Sequence, residues 1–309
     1  MFNITIDINL EDLMQTKIII AALLLSNYAF AFSPKVIYGD DNRIEVFDHP
    51  LTTYKQIAGS IAAQVDPNYI IKEDSVNYSI RGQSLEQMGI CPKEKFVKQL
   101  VAARCSGFFI GKDVLVTSAQ CIKDQNDCKD FHWVFDYKLN NAEESKPIFS
   151  YDSIYKCKEI IARSLENSTK EDYAIIRLDR EVYGRYALKF RKNGEMPKDV
   201  SLFTIGTLLG LPFKIADKAN VLSNDPTKKY FITNLDTYGG ASGSPVFNQD
   251  TLEVEGIFVS GEKDLVYNPE LNCSESKVCG ENSECSGERV TKITVTNLEK
   301  ILNKRRRLF

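Results

Sequence analysis

The sequence predicts an all-β chain built from two groups of strands, and three observations carry that expectation. From about residue 105 the hydrophobic period is mostly two, in VLVTSA, HWVFDY, DYAIIRLD, VSLFTIG, KYFITNL and VEGIFVSG. Gly, Asn, Asp or Pro stand between many of these runs, the punctuation of short strands joined by turns. A break at RKNGEMPKDV, residues 191–200, divides the runs into two groups of similar size, as barrels or sandwiches require.

In chain order, the first feature is an address. Residues 1–13, MFNITIDINLEDL, are acidic, but from Met14 the chain reads as a lysine, an apolar run from Ile18 to Leu25 and a small-x-small site at Ala29-Phe30-Ala31. A signal peptide over 1–31 is expected, with Met14 a candidate true start and the product secreted or periplasmic. The apolar run is too short to cross about 30 Å of hydrocarbon, so no membrane span is expected. Residues 32–94 form an N-terminal extension, in which LTTYKQIAGSIAAQV places apolar residues on a helical face. The first strand group occupies 95–195 and the second 196–292. A helix over 293–309 closes the chain, with Leu298, Ile301 and Leu302 on one face and Lys304 to Arg307 opposing the dipole at its end.

Composition narrows the function. A net charge of −3 over 39 basic and 42 acidic side chains gives no electrostatic footprint for nucleic acid. All eight cysteines lie beyond residue 31, and an even count in an exported chain reads as disulfides. Cys273, Cys279 and Cys285 lack zinc spacing and there are just two histidines, so neither a metal nor another cofactor is expected. A monomer is expected.

Chemistry concentrates in YGGASGSPVFN, residues 238–248. Glycines flank Ser242 so closely that the chain can turn tightly and aim backbone N–H groups outward, as an oxyanion hole needs, with the serine as nucleophile. The same residues also suit a plain turn before a strand. Upstream stand CSGFFIGKDVLVTSAQC, which ends on Gln120 and Cys121, and KEDYAIIRLDR, where Asp172 opens a β-branched strand.

With these three segments the chain resembles the trypsin-like serine peptidases, and more narrowly the bacterial branch containing the glutamyl endopeptidases. VIYGDDNRIEV at 36–46 and IGTLLGLPFKIADKANV at 205–221 extend the resemblance over about 36–295. It implies two six-stranded antiparallel barrels with the site in the cleft between them. It also implies Ser242 as nucleophile, Asp172 as orienting acid, and the N–H groups of Gly240 and Ser242 as oxyanion donors. The chain departs from the family twice. Gln120 stands at the position of the general-base histidine, and Ala241 stands where an Asp or Asn braces the oxyanion loop. Asp236 falls where trypsin carries the acid selecting Arg or Lys, although a solvated turn acid fits equally; with Thr237 and Phe258 it is the candidate specificity pocket. Phe258 replaces a carboxylate-reading histidine, which disfavours glutamate. Cys105–Cys121, flanking the hairpin that presents position 120, is the first expected disulfide and Cys128–Cys157 the second. Cys91, Cys273, Cys279 and Cys285 allow three pairings.

An amide cannot replace the imidazole, because the triad needs a group that takes the serine proton and later returns it. Losing the histidine of such a triad costs on the order of 10⁶ in turnover. His132 reads as a strand residue, His49 as a loop residue before Pro50, and Lys123 as a candidate Ser–Lys base. The leading expectation is an inactive homologue that binds a peptide or protein in its cleft. The alternatives are an active endopeptidase with a compensated triad and a surface adhesion module.

Overall fold

The structure, a computed structural model, describes residues 37–261, 263–280 and 285–306, without the side chains of 304–306. The expected signal peptide lies outside these residues. Twelve strands make two closed antiparallel barrels. The first contains β1 (Ile61–Val65), β2 (Ala103–Gly111), β3 (Val114–Thr117), β4 (His132–Phe135), β5 (Ile154–Leu165) and β6 (Asp172–Leu178). The second contains β7 (Ser201–Gly206), β8 (Lys214–Ser223), β9 (Tyr230–Thr233), β10 (Pro245–Asn248), β11 (Val254–Ser260) and β12 (Glu288–Lys292).

Strand order around the first ring is β1-β2-β3-β6-β5-β4, and around the second it is β7-β8-β9-β12-β11-β10. One circuit is therefore used twice. Consecutive strand residues fall into different core clusters: Phe108, Val116, Val134 and Ile175 into one, and Phe109, Leu115, Trp133 and Ile176 into another. A period of two with both faces covered explains why these strands read as unbroken apolar runs.

Two boundaries need correction. The extension expected over 32–94 holds a barrel strand, because β1 pairs with both β2 and β4 and closes the first ring. The single helix expected over LTTYKQIAGSIAAQV is instead α1 (Thr52–Ala58) followed by β1. Gly59 ends α1, its N–H donating to the Gln56 carbonyl, and all five residues of β1 are buried. Five buried residues in a row, four of them apolar and the fifth Gln64, carry no period to tell strand from helix. At the other end 293–296 is a tight turn of 3₁₀ helix, and the terminal helix is Leu298–Arg306. Leu298 is buried, with Ile301 and Leu302 packed against the same core.

The N-terminal segment belongs to the second barrel. Ile44–Glu45 pairs with Lys214 and Ile215 of β8, where buried Lys214 meets Glu45 at 3.1 Å. Disulfides join Cys105 to Cys121, Cys128 to Cys157, Cys91 to Cys273 and Cys279 to Cys285. Among the described residues no helix is long and apolar enough to cross a membrane.

Candidate active site

Position 120 is fixed from several sides. β3 ends at Thr117, and Ser118 caps the short 3₁₀ turn Ala119–Cys121, its hydroxyl oxygen accepting the Gln120 N–H at 3.2 Å. Cys121 is bonded to Cys105 on β2, which ties the turn to the barrel wall. The Arg163 guanidinium donates to the carbonyls of Ile122 (2.6 Å) and Ala119 (3.1 Å), so a residue of β5 braces the turn from the other side. Sequence reading missed Arg163, since a lone cation in an alternating strand looks like any solvated residue.

Asp172, the first residue of β6, is buried and receives three donors. The Ser118 hydroxyl (2.7 Å) and the Ala119 N–H (2.6 Å) share one carboxylate oxygen, and the Gln120 amide nitrogen donates to the other. The same amide nitrogen donates to the carbonyl of Val259 on β11 at 3.2 Å. Both amide hydrogens of Gln120 are thereby committed.

The serine loop comes from the second barrel. Gly240 and Gly243 have φ of +87° and +88°, and a Cβ on Gly243 would sit 2.0 Å from the Ser106 carbonyl oxygen, so glycine is required there on two counts. Ser106 donates its N–H to the Ser242 carbonyl at 2.8 Å, and the Thr207 hydroxyl donates to the Gly240 carbonyl at 2.7 Å. A hydrogen bond of 3.0 Å between the hydroxyls of Ser106 and Thr207 joins these contacts across the two barrels. The N–H groups of Gly239, Ala241, Gly243 and Ser244 donate to the Asp264 carboxylate and to the carbonyls of Tyr238, Phe258 and Ala241. These bonds shape the loop around residues 240 and 242, the positions expected to supply oxyanion donors.

The Ser242 hydroxyl donates to the Val259 carbonyl at 3.3 Å. It thus shares an acceptor with the Gln120 amide, and the two groups lie less than twice that distance apart. Gln120, Asp172 and Ser242 are brought together around the Val259 carbonyl. The shared acceptor was invisible in the sequence because a backbone oxygen has no residue signature.

The expected specificity residues occupy other roles. Asp236 is fully buried and accepts the N–H groups of Tyr38 (2.7 Å) and Asn42 (3.1 Å), so it is neither a solvated turn acid nor an open recognition group. Burial pushes its carboxyl up to about 6 against the opposing pull of those two donors. Thr237 donates to buried Glu288 at 2.8 Å, and Phe258 lies in the core with Ala241, Leu208 and Tyr238. Ala241 is likewise fully buried, so no polar brace faces the loop from that position.

The alternative bases are placed elsewhere. His49 stacks on Tyr54 with Nε2 3.6 Å from Asp217, while His132 pairs with Val65 and Lys156 in the first barrel. Burial, and after it Lys156, hold the His132 imidazole below its usual range. Lys123 is exposed, its own N–H held by Asp127. Among the described residues no group of three or more His, Cys, Asp or Glu side chains is arranged for a metal ion.

A family model described as a trypsin-like peptidase domain matches residues 105–257, a stretch that contains Gln120, Asp172 and Ser242. The chain carries a trypsin-like peptidase domain. Among solved structures it is similar to the VesB protease of Vibrio cholerae, at 16% identity and a TM-score of 0.49, covering 88% of this chain and 68% of that one. It is also similar to a Glu endopeptidase (15%, TM-score 0.48, 87% and 99%) and to a scabies mite inactivated protease paralogue (18%, TM-score 0.48, 81% and 97%). No curated protein sequence matches it. At this site the Ser242 hydroxyl donates to the Val259 carbonyl and Asp172 accepts from the Gln120 amide. The Val259 carbonyl and the Gln120 amide are each hydrogen-bonded, and neither is basic enough to accept a proton near neutral pH.

Proposed function

We propose that this chain is an exported trypsin-like peptidase homologue that does not cleave peptides and acts by holding a peptide or protein segment in its cleft. The observation that carries the reading is the pair of hydrogen bonds on the Val259 carbonyl, one from the Ser242 hydroxyl and one from the Gln120 amide. A serine attacks a carbonyl only as its proton leaves, and the group beside Asp172 that would take that proton is an amide. Export is supported by the leader-like residues 14–31 and by four disulfides, which persist in oxidising compartments.

The test is fluorophosphonate labelling of Ser242 together with casein hydrolysis by the native protein. Neither is expected above the level of a Ser242→Ala control. Robust hydrolysis that disappears in Ser242→Ala would overturn the reading and mean that another base serves this serine.

A further inference from the structure

Two segments border Ser242. One is the end of β11, whose Val259 carbonyl takes hydrogen bonds from both site groups; Gly261, two residues further along extended chain, is about 7 Å from Val259. The other is the loop of residues 237–242 leading into the serine. Glu288 spans the space between them. It opens β12, pairs with Thr233 on β9 and is fully buried. Its Oε2 accepts the Thr237 hydroxyl at 2.8 Å on one flank. On the other flank, a Cβ added to Gly261 would lie 1.8 Å from that same Oε2 and 2.2 Å from Oε1. The carboxylate therefore rests directly on the Cα of Gly261. Gly261 has no left-handed φ, so a side chain there would meet the Glu288 carboxylate rather than strain the backbone.

We propose that Glu288 fills, from inside the protein, the recess beside Ser242 that would otherwise seat a ligand side chain. The cleft then accepts an extended polypeptide that presents glycine at this point, a ligand assignment that rests on the peptide-binding reading above. A second observation points the same way: Asp236, Thr237 and Phe258, the residues expected to line such a recess, are each fully buried in contacts of the protein itself. The exclusion is one of volume. With Glu288 covered on all sides, an incoming ammonium or guanidinium group reaches its carboxylate only if the chain moves.

The first test needs no natural ligand. Benzyl alcohol and benzamidine are titrated at millimolar concentration into native protein and the Glu288→Gly variant, and soaked into crystals of each. The native protein should hold neither probe between Thr237 and Gly261, while Glu288→Gly should hold at least one; Glu288→Ala replaces it if the glycine variant does not fold. Glu288→Gln, which keeps the volume, should stay closed. A probe seated in the native recess, a folded small-residue variant that stays closed, or an open Glu288→Gln would each overturn the proposal.

The second test uses a small disulfide-bridged protein displaying an extended loop, varied at one position through Gly, Ala, Leu, Phe and Lys. Native protein should favour the Gly loop over Leu, Phe and Lys by about tenfold or more, and Glu288→Gly should erase that order. A native preference for Lys or Phe overturns the assignment. If no loop binds either protein while the probes behave as expected, the peptide-binding reading fails and the filled recess stands.

Discussion

The two barrels share one strand circuit yet surround Ser242 in opposite ways. The first presents a polar cluster in which Ser118, Ala119, Gln120 and Asp172 satisfy one another and Arg163 braces the turn. In it the group that meets the Asp172 carboxylate is the Gln120 amide. The second surrounds Ser242 with filled space, where Ala241 and Phe258 sit in apolar packing and Glu288 lies against Gly261. The difference teaches that the hydrogen-bonding group at position 120 and the packing of Glu288 on Gly261 belong to different barrels, so each can be varied without the other.

The sharpest way to separate them is Gln120→His. It restores a base beside Asp172 but leaves the second barrel unchanged, so fluorophosphonate labelling of Ser242 should rise by roughly 10³. Hydrolysis of peptides with large side chains at the scissile position should stay at background until Glu288→Gly is added. Cleavage of such peptides by Gln120→His alone would break the comparison. Next in size is Asp172→Ala, which leaves three donors in the first barrel without their acceptor. Urea denaturation should show a loss of about 4 kcal/mol, since each buried group left unpaired costs about 1–3 kcal/mol. A neutral result would mean that the polar cluster is not what holds position 120.

The pH dependence probes the second barrel. Asp236 is raised from its ordinary 3.8 to about 6, so between these values the folded chain holds a proton that the unfolded chain has released. Its contribution is fully present below about pH 4 and is lost as pH rises through about 6. The loss is at most about 3 kcal/mol. Asp236→Asn lacks this titration. Thermal unfolding at pH 4 and pH 7 should therefore show the native protein losing ground to the variant as pH rises, and an unchanged gap would contradict the assignment. The smallest expected effect is Gly261→Ala, about 2 kcal/mol destabilising by overpacking. In a Glu288→Ala background the same change should be nearly neutral; equal costs in both would remove the contact between the two residues.

Sequence exposed what local residue types encode. The strand runs, the glycine-flanked Ser242, Asp172 at a strand start and the glutamine at position 120 were all readable within windows of a dozen residues. Features made by distant partners or by backbone were not. β1 was hidden because Ile61 to Val65 is buried throughout and shows no alternation. The Val259 oxygen has no side-chain signature, and Arg163 acts on carbonyls about forty residues away in sequence. Glu288 follows Gly287 and opens a strand, which reads as a turn acid; only the packing of Gly261 against it shows otherwise. Asp236 was placed beside the site by counting from Ser242, but its partners, Tyr38 and Asn42, lie about two hundred residues earlier.

That last distance bears on the order in which the chain can assemble during synthesis. Residues 37–45 are among the first described residues to be made, but their anchors are Lys214, Asp236 and Val278, and Cys91 waits for Cys273. The first barrel is complete at residue 178 and can close while the rest is being translated. The amino-terminal segment has nowhere to dock until the second barrel exists, and contacts of such high sequence separation form slowly. The docking of this segment is therefore a late step in folding, and until it happens the loop before Ser242 lacks the backbone donors that hold Asp236.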